Sequence, residues 1–172
     1  MNLMDLLDDV GGASSVSKMG EGLGLDADST SSLVAALAPA LMQGLQKQTD
    51  SSDGLASLQN ALAGGGHQKY LDNPDIIGSA ETTADGNNIL GHLFGTKDVS
   101  RNVAAQAAQS TGLQDALIKK ALPMLAGITM AAMSKKSNAS ADDNPDLGSL
   151  LGGIDWGDIG VDDMMNMAKK FF

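Results

Sequence analysis

Cysteine is absent from the chain, which removes disulfides, thiolate nucleophiles and sulfur-ligated metals and fits a reducing compartment. Arginine is almost absent: Arg101 alone could make a bidentate phosphate contact. With 21 Asp+Glu against 11 Lys+Arg, the formal net charge is −10. Nucleic-acid backbones and anionic membranes recruit the opposite sign, so neither is expected as a partner. Aromatic residues make up only 3%, so any core must be built from Leu, Ile, Val, Met and Ala. Long apolar runs are also missing. The longest weakly polar stretch, residues 121–133, stops at Lys135-Lys136, short of the roughly 20 residues a membrane helix needs. The first ten residues carry Asp5, Asp8 and Asp9 and no base, unlike a signal peptide. The expectation is a soluble, cytoplasmic protein with no membrane span.

What the chain does have is self-similarity. Asn2-Leu3-Met4-Asp5-Leu6-Leu7 parallels Asn88-Ile89-Leu90-Gly91-His92-Leu93. Gly24-Leu25 precedes Leu33-Val34 and Leu37-Ala38-Pro39-Ala40-Leu41, as Gly112-Leu113 precedes Leu117-Ile118 and Ala121-Leu122-Pro123-Met124-Leu125. From Gly-Leu to Pro the first copy is longer by four residues, about one helical turn, which keeps the apolar face in nearly the same direction. Three matched blocks in one order point to a duplicated three-helix unit.

Unit one covers residues 1–48. Leu3, Leu6, Leu7 and Val10 lie at i, i+3, i+4 and i+7, one helical face, with Asn2 as cap and Gly11-Gly12 as stop. Ser14 or Ser15 is expected to open a second helix burying Val16, Met19 and Leu23, closed by Gly24. Asp26 or Asp28 begins a long third helix with Leu33, Val34, Leu37, Leu41 and Leu45 inward. Residues 49–84 form a connecting insertion: a helix over 53–63 around Leu55, Leu58 and Leu62, a Gly64-Gly65-Gly66 break, and one more turn over 67–71.

Unit two covers residues 85–136. Asp85-Gly86-Asn87-Asn88 reads as a turn before a short helix over 89–94. Asp98 is expected to cap the next helix, with Val99, Val103 and Ala107 inward. Gly112 ends it, and 113–135 make the last long helix. Pro39 and Pro123, at matching places, must bend or interrupt their helices. Residues 137–172 form an acidic, Gly/Asp-rich tail with seven Asp between 142 and 163, too poor in packable surface to order itself. A short amphipathic helix over 161–171 (Val161, Met164, Met165, Ala168, Phe171) is expected to dock on the domain or on another copy.

The series Gly86-Asn87-Asn88-Ile89-Leu90-Gly91-His92-Leu93-Phe94-Gly95, Thr111-Gly112-Leu113 and Leu122-Pro123-Met124-Leu125 resembles the YidB-like family of bacterial proteins of unknown function. The likeness spans most of the chain before the tail, most clearly unit two. It implies an all-helical, homeodomain-like arrangement and brings no established activity or catalytic residues.

Chemistry is sparse. The two His, His67 and His92, have no Cys, Glu or second His at metal-ligand spacing. His67, after three glycines, is expected in solvent, and His92 at or near the surface. Asp142-Asp143-Asn144-Pro145-Asp146-Leu147-Gly148 departs from a calcium loop: its Gly is one place late and Gly153 stands where the bidentate Glu belongs. Gly20-Glu21-Gly22-Leu23-Gly24 and Gly64-Gly65-Gly66 lack the strand and Lys of a phosphate cradle. A DNA-reading helix would be basic, whereas the long helices offer Lys119-Lys120 and Lys47. No residue is assigned as catalytic, cofactor-binding or metal-ligating, and no cofactor is expected. The expected function is non-catalytic: a protein–protein interaction or self-association module. The alternatives are a small-molecule site or enzyme near His92 and Asp98, and DNA binding.

Overall fold

The computed structural model describes residues 3–64 and 66–139. Residues 140–172 of the acidic tail, with the expected terminal helix and the calcium-like loop, lie outside the described residues, as do the Asn2 cap and the side chains of Leu3 and Leu6; residues 137–139, expected in the tail, continue α8. Eight α-helices and no strand occur among the described residues. They are α1 (Leu3–Asp9), α2 (Ala13–Leu23), α3 (Ala27–Thr49), α4 (Ser52–Gly64), α5 (Lys69–Asp72), α6 (Ala80–Phe94), α7 (Lys97–Thr111) and α8 (Asp115–Ala139). One 3₁₀ turn, Pro74–Ile76, lies between α5 and α6.

All of them share one apolar core, and its axis is α8. Ile118, Ala121, Leu122, Leu125, Ala126, Ile128, Met130, Ala131, Ala132 and Met133 are buried, so this helix is enclosed nearly all round, as an apolar helix inside a protein must be. It packs against each of the other seven helices. An 18-residue window within Asp115–Lys136 has mean hydropathy 1.4, long and apolar enough to cross a membrane, and 72% of that window is buried inside the fold. The sequence count stopped short because the Lys119-Lys120 pair, exposed on one side, does not interrupt the apolar face.

Several local readings match. Asp26 caps α3, its carboxylate accepting the Ser29 N–H at 2.7 Å. Leu33, Val34, Leu37, Leu41 and Leu45 are all buried. Gly24 and Gly112 close α2 and α7 in the left-handed conformation at the same φ of 72°, a geometry that costs other residues about 1–2 kcal/mol. The interruption expected at Pro39 and Pro123 does not occur, since both lie inside continuous helices, α3 and α8.

Several boundaries differ, among them the last long helix, which spans Asp115–Ala139 rather than 113–135. Gly12, without a side-chain bond, precedes α2, while Ser15 is buried and its hydroxyl donates to the Tyr70 carbonyl at 2.7 Å. Asp98 lies in the first turn of α7 behind Thr96 and pairs with Arg101 at 3.1 Å. Asp85-Gly86-Asn87-Asn88 is helical: α6 starts at Ala80, with the Ser79 side chain accepting the Thr82 N–H. Tertiary contact overrides the turn propensity there. A Cβ on Gly86 would collide with the Pro123 backbone, so the bare glycine lets α6 and α8 touch main chain to main chain.

Candidate functional site

His92 is exposed on α6, and its backbone carbonyl accepts a hydrogen bond from Gln48 Nε2 of α3 at 2.6 Å. The crevice beside it, lined by Gln48, Leu58, Ile89, Leu93 and Met130, measures about 30 Å³, room for a water or two. Asp98 does not line it and is occupied with Arg101. The two residues named for a site between the units are therefore not brought together. A larger concavity of about 320 Å³ opens between α2 and α3, lined by Ala13, Val16, Glu21, Leu25, Ala27 and Thr30. Its one carboxylate, Glu21, is paired with Lys18 at 3.0 Å. Lys119 is likewise paired, with Asp115 at 2.5 Å. No group of three His, Asp or Glu side chains able to hold a metal occurs among the described residues.

The polar cluster with unusual environments lies where the 66–79 connection crosses α6 and α8. His67, expected in solvent, is buried at 6% exposure. Burial pushes its imidazole below its ordinary value of 6.5; the Asp85 charge and a hydrogen bond to the backbone of Ala61 oppose that shift, and Lys69 adds to it. Its Nδ1 has no hydrogen-bond partner among the described residues. The Tyr70 ring, 6.0 Å from the imidazole between centroids, packs where Gly127 of α8 leaves space. The Tyr70 hydroxyl donates to Asp85, and burial, with that bond and charge, pushes the phenol well above 10. Lys69 Nζ bonds Glu81 at 2.8 Å and stands 3.9 Å from Asp85.

This cluster is not legible in the sequence, because His67 and Tyr70 stand in a glycine-rich, polar stretch with no period. The usable signal was the single tyrosine of an aromatic-poor chain, since a lone large ring is seldom left in water.

Leu113, just before α8, and Leu117 and Met124 on it are half-buried, as are Ile76 and Ile77 of the connection. Gly78 brings the connection against Met124, at a spacing of 3.1 Å for an added Cβ.

Compared with known proteins, residues 5–136 match the model of a family described as "Bacterial protein of unknown function (DUF937)". The sequence resemblance to a bacterial family of unknown function is thereby borne out. No curated protein and no solved structure matches the chain.

Proposed function

We propose that this chain, which belongs to the DUF937 family of bacterial proteins of unknown function, is a non-catalytic module that works by self-association. The observation that carries the reading is that Leu113, Leu117 and Met124 are only partly buried, as are Ile76 and Ile77 of the connection that Gly78 brings against Met124. Apolar side chains grouped in this way are what a protein interface covers. The titratable groups fit the same reading: Glu21, Asp98, Asp115 and Glu81 each sit in an exposed ion pair. General acid–base work instead needs groups converging on a reacting atom. A second copy is the occupant proposed to cover these apolar side chains, because two-fold self-pairing needs one self-complementary patch.

The proposal includes two related, homeodomain-like three-helix units, α1–α3 and α6–α8. Equal left-handed closures at Gly24 and Gly112 and in-helix prolines in α3 and α8 support it. It also places the protein in the cytoplasm, with α8 as core rather than membrane span; the 72% burial of its apolar window supports that.

The test is light scattering after size exclusion on the full chain, from micromolar to millimolar concentration. A mass that rises with concentration, and falls back in Leu117→Asp, is expected. A monomer throughout removes self-association. The second reading, a small-molecule binding protein, is favoured only by the α2–α3 concavity, whose 320 Å³ lies at the small end of ligand sites, which run from about 300 to 1,000 Å³.

A further inference from the structure

We propose that the 66–79 connection is a proton-operated latch over the α6–α8 junction, closed while His67 is neutral and released when His67 takes up a proton. Release uncovers the Met124 side of α8, so its consequence, though not the latch itself, rests on the self-association reading.

The closed form is held at few points. The Ser15 hydroxyl donates to the Tyr70 carbonyl at 2.7 Å, and the Tyr70 hydroxyl donates to Asp85. Lys69 bonds Glu81 at 2.8 Å, and Asp75 meets Lys18 at 3.7 Å. Beneath these contacts Tyr70 and Leu71 are buried against the core. The segment is bounded by Gly66 and Gly78, both at positive φ. It contains only one turn of α-helix and one of 3₁₀, so it can lift without unwinding a long helix.

His67 makes closure depend on pH. A neutral imidazole has one donor and one acceptor nitrogen, and an imidazolium has two donors. Protonation of Nδ1 in the closed form would bury a charge and a donor with no acceptor at that nitrogen, which is costly on both counts. Every charge near it can be named. Asp85 of α6 and a hydrogen bond to the backbone of Ala61 in α4 favour the cation, and Lys69 opposes it, while Glu81 is held by Lys69. Asp72 and Asp75 are exposed, and Lys18 and Glu21 of α2 are paired with each other. α8 has no charged residue between Lys120 and Lys135, and α4 carries only Asp53, at the end away from Ala61. Desolvation outweighs the Asp85 attraction. The folded value is depressed, so the closed form keeps its full advantage above 6.5 and loses it as pH falls below that value.

The test is backbone hydrogen exchange of the full chain at about pH 7.5 and about pH 5.5, corrected for the intrinsic rate. Protection of 66–79 should fall roughly tenfold for each pH unit between the free and depressed values, while α3 and α8 keep theirs. In His67→Gln the pH dependence should vanish. Equal protection of wild-type 66–79 at both pH values, or the same fall in His67→Gln, overturns the latch. Should that variant fail to fold, imidazole NMR of the wild type decides, with the two histidines assigned through His92→Gln: a His67 midpoint at or above 6.5 overturns it. Light scattering on the same samples separates the two proposals. Exchange that opens with no gain in mass supports the latch and removes its consequence for self-association. A monomer at every concentration and both pH values removes self-association itself, and a gain in mass without exchange at 66–79 removes the latch.

Discussion

Replacing Gly86 with alanine sets two known energies against each other. Inside a helix, alanine is favoured over glycine by about 1 kcal/mol, so propensity alone predicts a more stable protein. The new methyl would collide with the Pro123 backbone, and overpacking costs about 1–3 kcal/mol or more. Because the obstruction is main chain, packing wins: Gly86→Ala should lower the urea midpoint, and a raised midpoint would show that α6 and α8 are not in backbone contact. Tyr70 gives a second test at this scale. It is the only tyrosine, so phenolate absorbance reports on it alone. Its folded value is raised by burial and by Asp85. Its stabilising contribution is therefore complete below 10 and lost as pH rises through the folded value. Alkaline titration should show no ionisation near 10 until the chain unfolds; a reversible midpoint at 10 in the folded protein would place the ring in water.

The ends of α2 and α7 and the start of α3 are legible in the sequence because their closing chemistry is local. Gly24, Gly112 and Asp26 act through their own backbone conformation or through an N–H three residues on, and neighbours in sequence suffice to see that. Gly24→Ala and Gly112→Ala should each cost about 1–2 kcal/mol, read as equal shifts of the thermal midpoint. Unequal shifts would argue against equivalent positions in the two units. The start of α6 was not legible, because what makes Asp85-Gly86-Asn87-Asn88 helical is α8, more than thirty positions away in sequence, fitting against Gly86. The burial of His67 is illegible for the same reason. Its three preceding glycines predict exposure, while its burial is set by helices distant in the chain. Of the candidate site, the apolar positions Leu113, Leu117 and Met124 could be read from period, but not that they stay half exposed.

At the scale of the whole molecule, the N-terminal and C-terminal helices close around α8 as a single core, with neither half complete alone. Leu37 of α3 and Leu125 of α8 are both fully buried in it. Leu37→Ala and Leu125→Ala should each cost about 2–5 kcal/mol and lower one shared unfolding transition rather than splitting it. Native-state hydrogen exchange under increasing denaturant tests this most directly. The slowest amides of α3 and α8 should merge onto one opening free energy. If α3 opens in a separate step while α8 keeps its protection, the halves are independent and the central claim is wrong.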